Sequence, residues 1–582
     1  MHTKAISTRF MRNGGAVCLR FHDAMGDVVN VNVGVLGHVD SGKTTLAGAL
    51  ATTASTAAND KSPQSRERGI TLDLGFSSFL LPADLAAAAP RASADGGGGV
   101  QKSSETEQGE GQQVQVTLVD CPGHASLIRT IMGGAQIIDL MLLVIDVTKG
   151  MQTQSAEGLV IGEITARELV VVLNKTDLIP EETREKQMAK VEAGMRRVLS
   201  RTRFKDALMV PVAAKDGLGL DVLMQAISSR IRVPSATPPT PPSKGGPPFM
   251  MAVDHCFGIR GQGTVLTGTV LNGCVSVNDS IDLPRLKLDR KVKSMQMFRK
   301  PVQRAVQGDR VGICVTQLDP KLIERDVIGS PGAFTTVQAA VVRVEKIPYF
   351  KMDVQSKGKY HVTIGHTTTM AQVQFFVEDN DQPATDGEEG KDAEHRPLEQ
   401  LRFGDAVEFD FEREYLHADA LHLTGRRPWS QWALLEFDKA VTCPVNASVI
   451  GSKLDTDIYA KQCRLAFYGR LAAVDKDADA LRAKLRVYKT RTRTGVVDRV
   501  VDDDQIIGRG LFKKDTDQSL FMNLKLVTDD GAVGIIESSF GKTGKFKVTF
   551  RNGHGGVSPG ARLTLNFKKF VGDKKKQIIQ AK

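Results

Sequence analysis

The chain contains no uninterrupted apolar run long enough to cross a bilayer, which argues against a helix-anchored membrane protein. Cysteine is sparse. The seven residues Cys18, Cys121, Cys256, Cys274, Cys314, Cys443 and Cys463 are scattered, with no C-x-x-C pair. That pattern indicates neither a zinc site nor a disulfide framework, and it fits a reducing compartment. Cys256 and Cys314 read as small buried apolar residues, since no metal spacing or activating base accompanies them. Acid is absent before Asp23, whereas Lys4, Arg9, Arg12 and Arg20 precede it. A basic, acid-poor start suits a transit peptide, but the amphipathic pattern is weak. The favoured expectation is an unstructured extension over residues 1–27, or a true start at Met25.

What is present is a 582-residue chain, too long for one hydrophobic core, so several domains are expected. Its net charge of +10 suits a polyanionic partner without specifying one. Val28 to Leu36 alternates and then runs apolar, as a strand entering a sheet does. A Gly-rich turn follows over Gly37–Thr44, and Thr45–Thr52 reads as helix. Apolar strands recur at Val114–Val119, Leu140–Val147 and Leu169–Leu173 with helical stretches between them. This alternation predicts a parallel sheet covered on both faces, an α/β domain over residues 28–233.

Residues 82–113, rich in Ala, Gly, Ser and Gln, read as a disordered insertion between the arms of a hairpin. Residues 234–248 are Pro-rich and read as a stiff linker. Beyond Phe249, short β-branched runs such as Thr264–Leu271, Ser280–Leu283 and Gly312–Thr316 are separated by Gly, Asn and Asp, the texture of small β-barrels. It continues through Val337–Phe376 and Leu401–Phe411. One barrel is expected over residues 249–336 and a second over 337–442, the latter carrying an acidic surface insertion at 378–395. A basic β-rich domain is expected over 443–582.

Gly37-His38-Val39-Asp40-Ser41-Gly42-Lys43-Thr44 matches G-x-x-x-x-G-K-[ST] between a strand and a helix, the context a phosphate loop requires. Its backbone N–H groups, continuing to Thr45, are expected to cradle phosphates. Lys43 is expected to reach the β/γ-phosphates and Thr44 to ligate Mg²⁺. Asp120-Cys121-Pro122-Gly123-His124 follows another strand. Asp120 is placed to hold Mg²⁺ through water, the Gly123 N–H to meet the γ-phosphate, and His124 to orient the attacking water. Asn174-Lys175-Thr176-Asp177 follows a third strand. The Asp177 carboxylate can accept two N–H bonds from a guanine edge, for which adenine has no matching donor pair. Asn174 and Lys175 would brace that loop, and the N–H groups of Ala213-Ala214-Lys215 would complete the base pocket. Thr71, in Arg66-Glu67-Arg68-Gly69-Ile70-Thr71, is a third candidate Mg²⁺ ligand, on a segment that a lost γ-phosphate would release. GTP and GDP are therefore the expected nucleotides. Each motif has a bland reading as a Gly-rich turn or a charged surface loop. Their occurrence together and in order argues against it.

GHVDSGKTT, RERGIT, DCPGH and NKTD together resemble the translational GTPases. The stretches SPQSRERGITLDLGF, GGAQIIDLMLLVIDVTKGMQTQSAE, VDHCFGIRGQGTV, VKSMQMF and QGDRVGICV are similar to the eukaryotic selenocysteine-specific branch of that family. The similarity is strong from Val28 to about Phe376 and looser beyond, and it breaks at the two insertions. It implies an α/β phosphate-loop GTPase domain followed by β-barrel domains. It also implies a GTPase stimulated by the ribosome that carries selenocysteinyl-tRNA to recoded UGA codons, working with a protein that reads an mRNA hairpin. A cytoplasmic monomer with no membrane partner is expected.

The resemblance further implies an aminoacyl pocket at Asp254, His255 and Arg310. The chemistry is consistent. Thiols ionise near ~8.5 and selenols are more acidic, so a selenocysteinyl side chain is largely an anion where serine stays neutral. Arg310 can offer that anion several N–H donors, a protonated His255 adds a second cation, and Asp254 either accepts from the α-amino group or holds the basic pair. On residues alone, Asp254 and His255 equally well end a barrel strand and Arg310 covers a turn.

The last domain concentrates Lys542, Lys545, Lys547, Arg551, Arg562, Lys568, Lys569, Lys574, Lys575 and Lys576, interleaved with Phe546, Phe550, Phe567 and Phe570. Alone, this reads as a solvated face over strand-core phenylalanines. The resemblance implies an RNA-contacting domain with salt-sensitive binding. Three other readings remain open here. One is a general elongation or initiation GTPase, another the GTPase subunit of a sulfate-adenylating complex, and the third a non-hydrolysing RNA-binding scaffold.

Overall fold

The computed structural model describes residues 28–54, 74–90, 113–123, 132, 137–233, 240–323, 326–365, 367–378, 398, 407–423, 431–444, 446–455, 462–541, 544–571 and 578–581. The extension at 1–27, Thr71 and His124 lie outside these residues, as do most of both insertions and Lys574–Lys576.

The first domain is built on a seven-stranded sheet of β1 (Val28–Gly37), β2 (Thr53–Ala54), β3 (Gly75–Leu80), β4 (Gln113–Asp120), β5 (Leu140–Asp146), β6 (Glu168–Asn174) and β7 (Leu208–Val212), in the order β2-β3-β4-β1-β5-β6-β7. β4, β1, β5, β6 and β7 run parallel, and β3 turns back antiparallel on β4 as the hairpin reading required. β5 is apolar along its whole length because helices cover both faces of the sheet. These helices are α1 (Lys43–Leu50), α2 (Ala83–Ala88), α3 (Thr153–Thr165), α4 (Glu181–Leu199) and α5 (Leu220–Arg230). In α4, Glu181 and Glu182 occupy the first turn and Arg196 and Arg197 the last, which complements the helix dipole.

The insertion expected over 82–113 is corrected at its start. Alanine is the strongest helix former, and the Ala-rich stretch after Pro82 is α2. It is docked by the Ser228 hydroxyl donating to Leu85 O at 2.6 Å and by Val233 N–H donating to Pro90 O at 2.8 Å. The described part of the Pro-rich linker contains one 3₁₀ turn, Pro242–Lys244.

Three closed barrels follow, numbered second to fourth after the domains they form. The second domain closes through strands Met250–Ile259, Gly263–Asn272, Arg310–Val315, Leu288–Met297, Ser280–Leu283 and Asp326–Gly329. The third closes through Thr335–Lys346, Gln431–Cys443, Thr367–Glu378, Lys359–Ile364, Ser448–Ser452 and Leu465–Asp475. Two of these strands lie beyond the boundary expected at 442/443. Ser448–Ser452 pairs with Lys359–Ile364, and Leu465–Asp475 pairs with Thr335–Lys346. A barrel edge left open there would strand its backbone donors, so the third domain extends through Asp475. Leu401–Phe411 is also corrected: its described part forms no strand, and Phe409 instead packs on Tyr415 and Trp432 at 4.9 and 5.0 Å between ring centroids. The fourth domain closes through Val487–Asp502, Gln505–Arg509, Lys545–Phe550, Val533–Phe540, Lys525–Thr528 and Arg562–Phe570. Phe546, Phe550 and Phe567 lie in its core.

The first domain packs directly on the third barrel. Leu159, Ile161 and Ile164 of α3 share one apolar cluster with Ile347, Leu398, Ile450, Leu465 and Tyr468.

Candidate nucleotide site and the pocket between the first two domains

β1 delivers the chain to Gly37 at the C-terminal edge of the parallel sheet, and α1 begins at Lys43. Between them the backbone reverses with Asp40 at φ 60° and Gly42 at φ 89°, a left-handed angle that glycine adopts without penalty. A side chain at position 42 would also strike the Asn174 amide. The Lys43 ammonium lies over the loop, 2.7 Å from His38 O. Burial lowers its pKa, and Asp120 opposes that shift. Gly123 closes onto the same loop: a Cβ there would meet Lys43 Nζ and lie 2.9 Å from the Val39 nitrogen.

Thr44 lies in the first turn of α1, and Asp120 ends β4, 76 residues later. The Thr44 hydroxyl donates to Asp120 Oδ2 at 2.6 Å. Asp120 Oδ1 is buried and has no hydrogen-bond partner among the described residues. Burial pushes the carboxyl up to about 6, against the pull of the Thr44 hydroxyl and Lys43. An unpaired oxygen on a desolvated carboxylate beside a hydroxyl is a donor set of the hard-oxygen kind that Mg²⁺ takes. The residues present therefore fit that ion.

Asn174 ties three loops together. Its Nδ2 donates to Ser41 O at 2.9 Å, and its Oδ1 accepts from Ala214 N–H at 3.1 Å. Two donors expected for the base are therefore spent internally, since Ala213 N–H donates to Leu218 O at 3.0 Å. The two alanines shape the loop. Lys175 adopts the left-handed region at φ 67° and pairs with Asp146 at 2.8 Å. Asp146 escaped the sequence reading. It ends β5, and nothing local marks a carboxylate there as the anchor of a lysine on β6's loop. Asp177 is exposed at the rim.

The second site lies between domains. Arg310 opens a second-barrel strand and Asp254 sits two strands away, across Gly263–Asn272, each 5% exposed. Arg310 Nη1 and Nη2 donate to Asp254 Oδ2 and Oδ1 at 2.5 and 3.0 Å. Thr267 donates to Asp254 Oδ1 at 2.9 Å. Although burial opposes it, Arg310 and His255 hold the Asp254 carboxyl well below the usual range. An ionised carboxylate only accepts, so His255 Nδ1, 2.9 Å away, carries the hydrogen. His255 is the part-exposed member, at 34% of its side chain. Of the two roles open to Asp254, the geometry matches holding the basic pair. The guanidinium face lies 3.2 Å from the ring centroid of Phe76 on β3, a contact contributed by the first domain. Cys314 is buried as expected, whereas Cys256 is only partly so, and its thiol is pushed up to about 11.

Three lysines of the fourth domain are paired within the chain, two inside the domain and Lys568 with a carboxylate of the third. Lys545 pairs with Asp498, Lys547 with Glu537 and Lys568 with Glu414, at 2.7, 3.2 and 3.0 Å.

Comparison with known families matches each domain in turn. Residues 29–233 match the elongation factor Tu GTP-binding domain, and 263–325 match elongation factor Tu domain 2. Residues 341–469 match the third domain of eukaryotic selenocysteine-specific elongation factors, and 483–559 match the eEFSec C-terminal RIFT domain. The chain is 49% identical to a selenocysteine-specific elongation factor of Mus musculus over 577 residues, covering 94% of this chain and 92% of that protein. It is 33% identical to one from Methanocaldococcus jannaschii over 60% of this chain and 66% of the other. The crystal structure of translation elongation factor SelB from Methanococcus maripaludis in complex with the GTP analogue GPPNHP superposes with a TM-score of 0.62 at 25% identity. That alignment covers 96% of this chain and all of the other. The third- and fourth-domain matches favour this branch over the general elongation factor and the sulfate-adenylating subunit that the first domain alone left open. The chain belongs to the eukaryotic selenocysteine-specific elongation factors, GTP-binding translation factors that hydrolyse GTP.

Proposed function

We propose that the protein, with GTP and Mg²⁺ bound, holds selenocysteinyl-tRNA and delivers it in the cytosol to a ribosome paused at a recoded UGA codon, together with a protein bound to the mRNA insertion hairpin. The observation that carries this reading is the Asp254–Arg310–His255 cluster at the seam with Phe76. A buried guanidinium held by a carboxylate, next to a part-exposed imidazole, is suited to an anionic aminoacyl side chain and offers little to a neutral serine.

In the nucleotide site, Thr44, Asp120 and Thr71 are the proposed Mg²⁺ ligands, an ion that would neutralise phosphate charge. Lys43 and the loop N–H groups hold the β- and γ-phosphates, and Asp177 with the Lys215 N–H reads the guanine. His124 is the proposed orienter of the attacking water, a role in which the ribosome would set it beside the γ-phosphate. Intrinsic turnover of such sites is about 10⁻⁴ to 10⁻² s⁻¹, and an activating partner adds several powers of ten.

The test is equilibrium binding to selenocysteinyl-tRNA and to the same tRNA carrying serine, each with a non-hydrolysable GTP analogue. Preference for the selenocysteinyl form that disappears in Arg310→Ala is expected. Equal affinities would sink the pocket reading. His124→Ala should keep GTP affinity and lose ribosome-stimulated hydrolysis, and unchanged stimulated turnover would remove His124 from its role.

A further inference from the structure

Asn30 and Asn32 stand out because β1 is the centre of the sheet, flanked by β4 and β5, and both residues are buried there at 4% and 2% exposure. A buried amide without partners costs about 1–3 kcal/mol, so such residues persist in a strand interior only where they are satisfied. Both are satisfied by the same atom of another domain. Asn30 Nδ2 and Asn32 Nδ2 donate to the carbonyl oxygen of Gly308 in the second barrel, at 2.6 and 2.9 Å. A carbonyl has two lone pairs and takes both bonds. The amides are held in that orientation from behind. Thr117 donates its hydroxyl to Asn30 Oδ1 at 2.6 Å, and Asp139 Oδ2 accepts the Asn32 backbone N–H at 3.0 Å.

The turn they grip is stiff. Gly308 lies at φ 92°, its N–H donates to Val270 O at 2.9 Å, and Asp309 Oδ2 accepts Val306 N–H at 2.8 Å. Arg310 follows two residues after the gripped carbonyl. At its other end β1 becomes the phosphate loop at Gly37. One rigid strand therefore carries both the nucleotide cradle and the pin that sets the Arg310 turn.

We propose that Asn30 and Asn32 are positioning residues for cargo discrimination. By pinning Gly308 they register Arg310 of the second barrel between Asp254 and the Phe76 ring of the GTPase domain, so that the aminoacyl pocket exists only when the two domains are docked in this register. The proposal rests on the aminoacyl-pocket reading given above. The two asparagines touch neither nucleotide nor aminoacyl group, and they act through the turn.

The experiment uses the full chain with both asparagines replaced, N30S with N32S, beside the single variant N30S, which keeps the bond from Asn32. Hydrogen exchange of residues 304–311 reports the turn. The ratio of Kd values for seryl- and selenocysteinyl-tRNA reports discrimination, and affinity for the GTP analogue reports an intact nucleotide domain. In the double variant the cargo ratio should fall about tenfold, about 1.4 kcal/mol, with turn exchange faster by a similar factor and analogue affinity within about twofold. The single variant should show the same pattern at about threefold, and it decides the matter if the double variant no longer binds the analogue. An unchanged cargo ratio, or unaltered turn exchange, in a variant that still binds the analogue overturns the inference while leaving the pocket intact. A wild-type protein with no cargo preference overturns the pocket reading itself, and this inference with it.

Discussion

Arg464 of the third barrel and Glu157 of α3, 307 residues apart in sequence, meet as a buried ion pair joined through both carboxylate oxygens. Arg464 Nε and Nη2 donate at 2.9 and 2.7 Å, and its backbone N–H adds a third bond at 3.2 Å. Both side chains are 6% exposed. The pair lies in the apolar seam that docks the GTPase domain on the third barrel.

Arg464→Ala leaves an unpaired carboxylate in that seam and should cost about 3–5 kcal/mol. Replacing both partners with apolar residues, Glu157→Leu with Arg464→Met, should recover most of the loss. Calorimetry of the three proteins tests this. If the double variant is no more stable than the single one, the carboxylate is not what the arginine neutralises.

Glu163, one turn and a half further along α3, has a different balance. Its Oε1 accepts N–H groups of Arg203 and Leu398 at 3.1 and 3.0 Å, while Oε2 is buried without a partner among the described residues. Burial pushes its carboxyl from 4.5 up to about 7. A raised acid binds more protons folded than unfolded, so its contribution is fully present below 4.5 and is lost as pH climbs through about 7. Wild-type thermal stability should therefore fall across that window by an amount equivalent to about 3 kcal/mol. Glu163→Gln keeps the acceptor and should flatten the fall. Melting curves across that window check it, and identical pH profiles for the two proteins would contradict it.

Thr44 and Asp120 are joined at 2.6 Å on the nucleotide side of the sheet. Thr44→Ala and Asp120→Asn should each weaken GTP binding about tenfold or more in the presence of Mg²⁺ and change it little in chelator. Nucleotide titration in both buffers measures this. A loss of equal size without the ion would mean that these residues hold the loop and not the metal.

Gly123→Ala introduces a methyl group against Lys43 Nζ and the Val39 nitrogen. Overpacking of this kind costs about 1–3 kcal/mol, here taken from the phosphate loop. GTP affinity should drop about tenfold with little change in melting temperature. Wild-type affinity in Gly123→Ala would show that the DCPG segment is free to move aside.

The nucleotide site was readable because its parts are local. Gly37–Thr44 is contiguous, and its strand and helix flank it directly, so a pattern of eight residues carries the geometry. The family resemblance extended that reading to Asp254, His255 and Arg310, whose ion pair and histidine contact the structure contains. Elsewhere local signals misled. The Ala-rich start of the first insertion reads as disordered from its composition and is α2. Composition places the end of the third domain at 442, where the chain turns basic, but β-texture continues past it, and only pairing partners say which barrel a strand joins. Asn30 and Asn32 fall at the polar positions of the alternating run Val28–Leu36, and alternation does not reveal that both faces of β1 are covered.

Sequence alone determined the nucleotide, the order of an α/β domain before β-barrels, and the family. Each of these is written in short runs whose backbone geometry and chemistry are self-contained. Tertiary structure alone decided that Asn30 and Asn32 reach Gly308, that Arg464 reaches Glu157, and that Phe76 lies on Arg310. Those partners come from different domains, and a contact that spans hundreds of residues leaves no periodicity or spacing behind. Its energy depends on burial and orientation, which exist only once the domains are folded and docked.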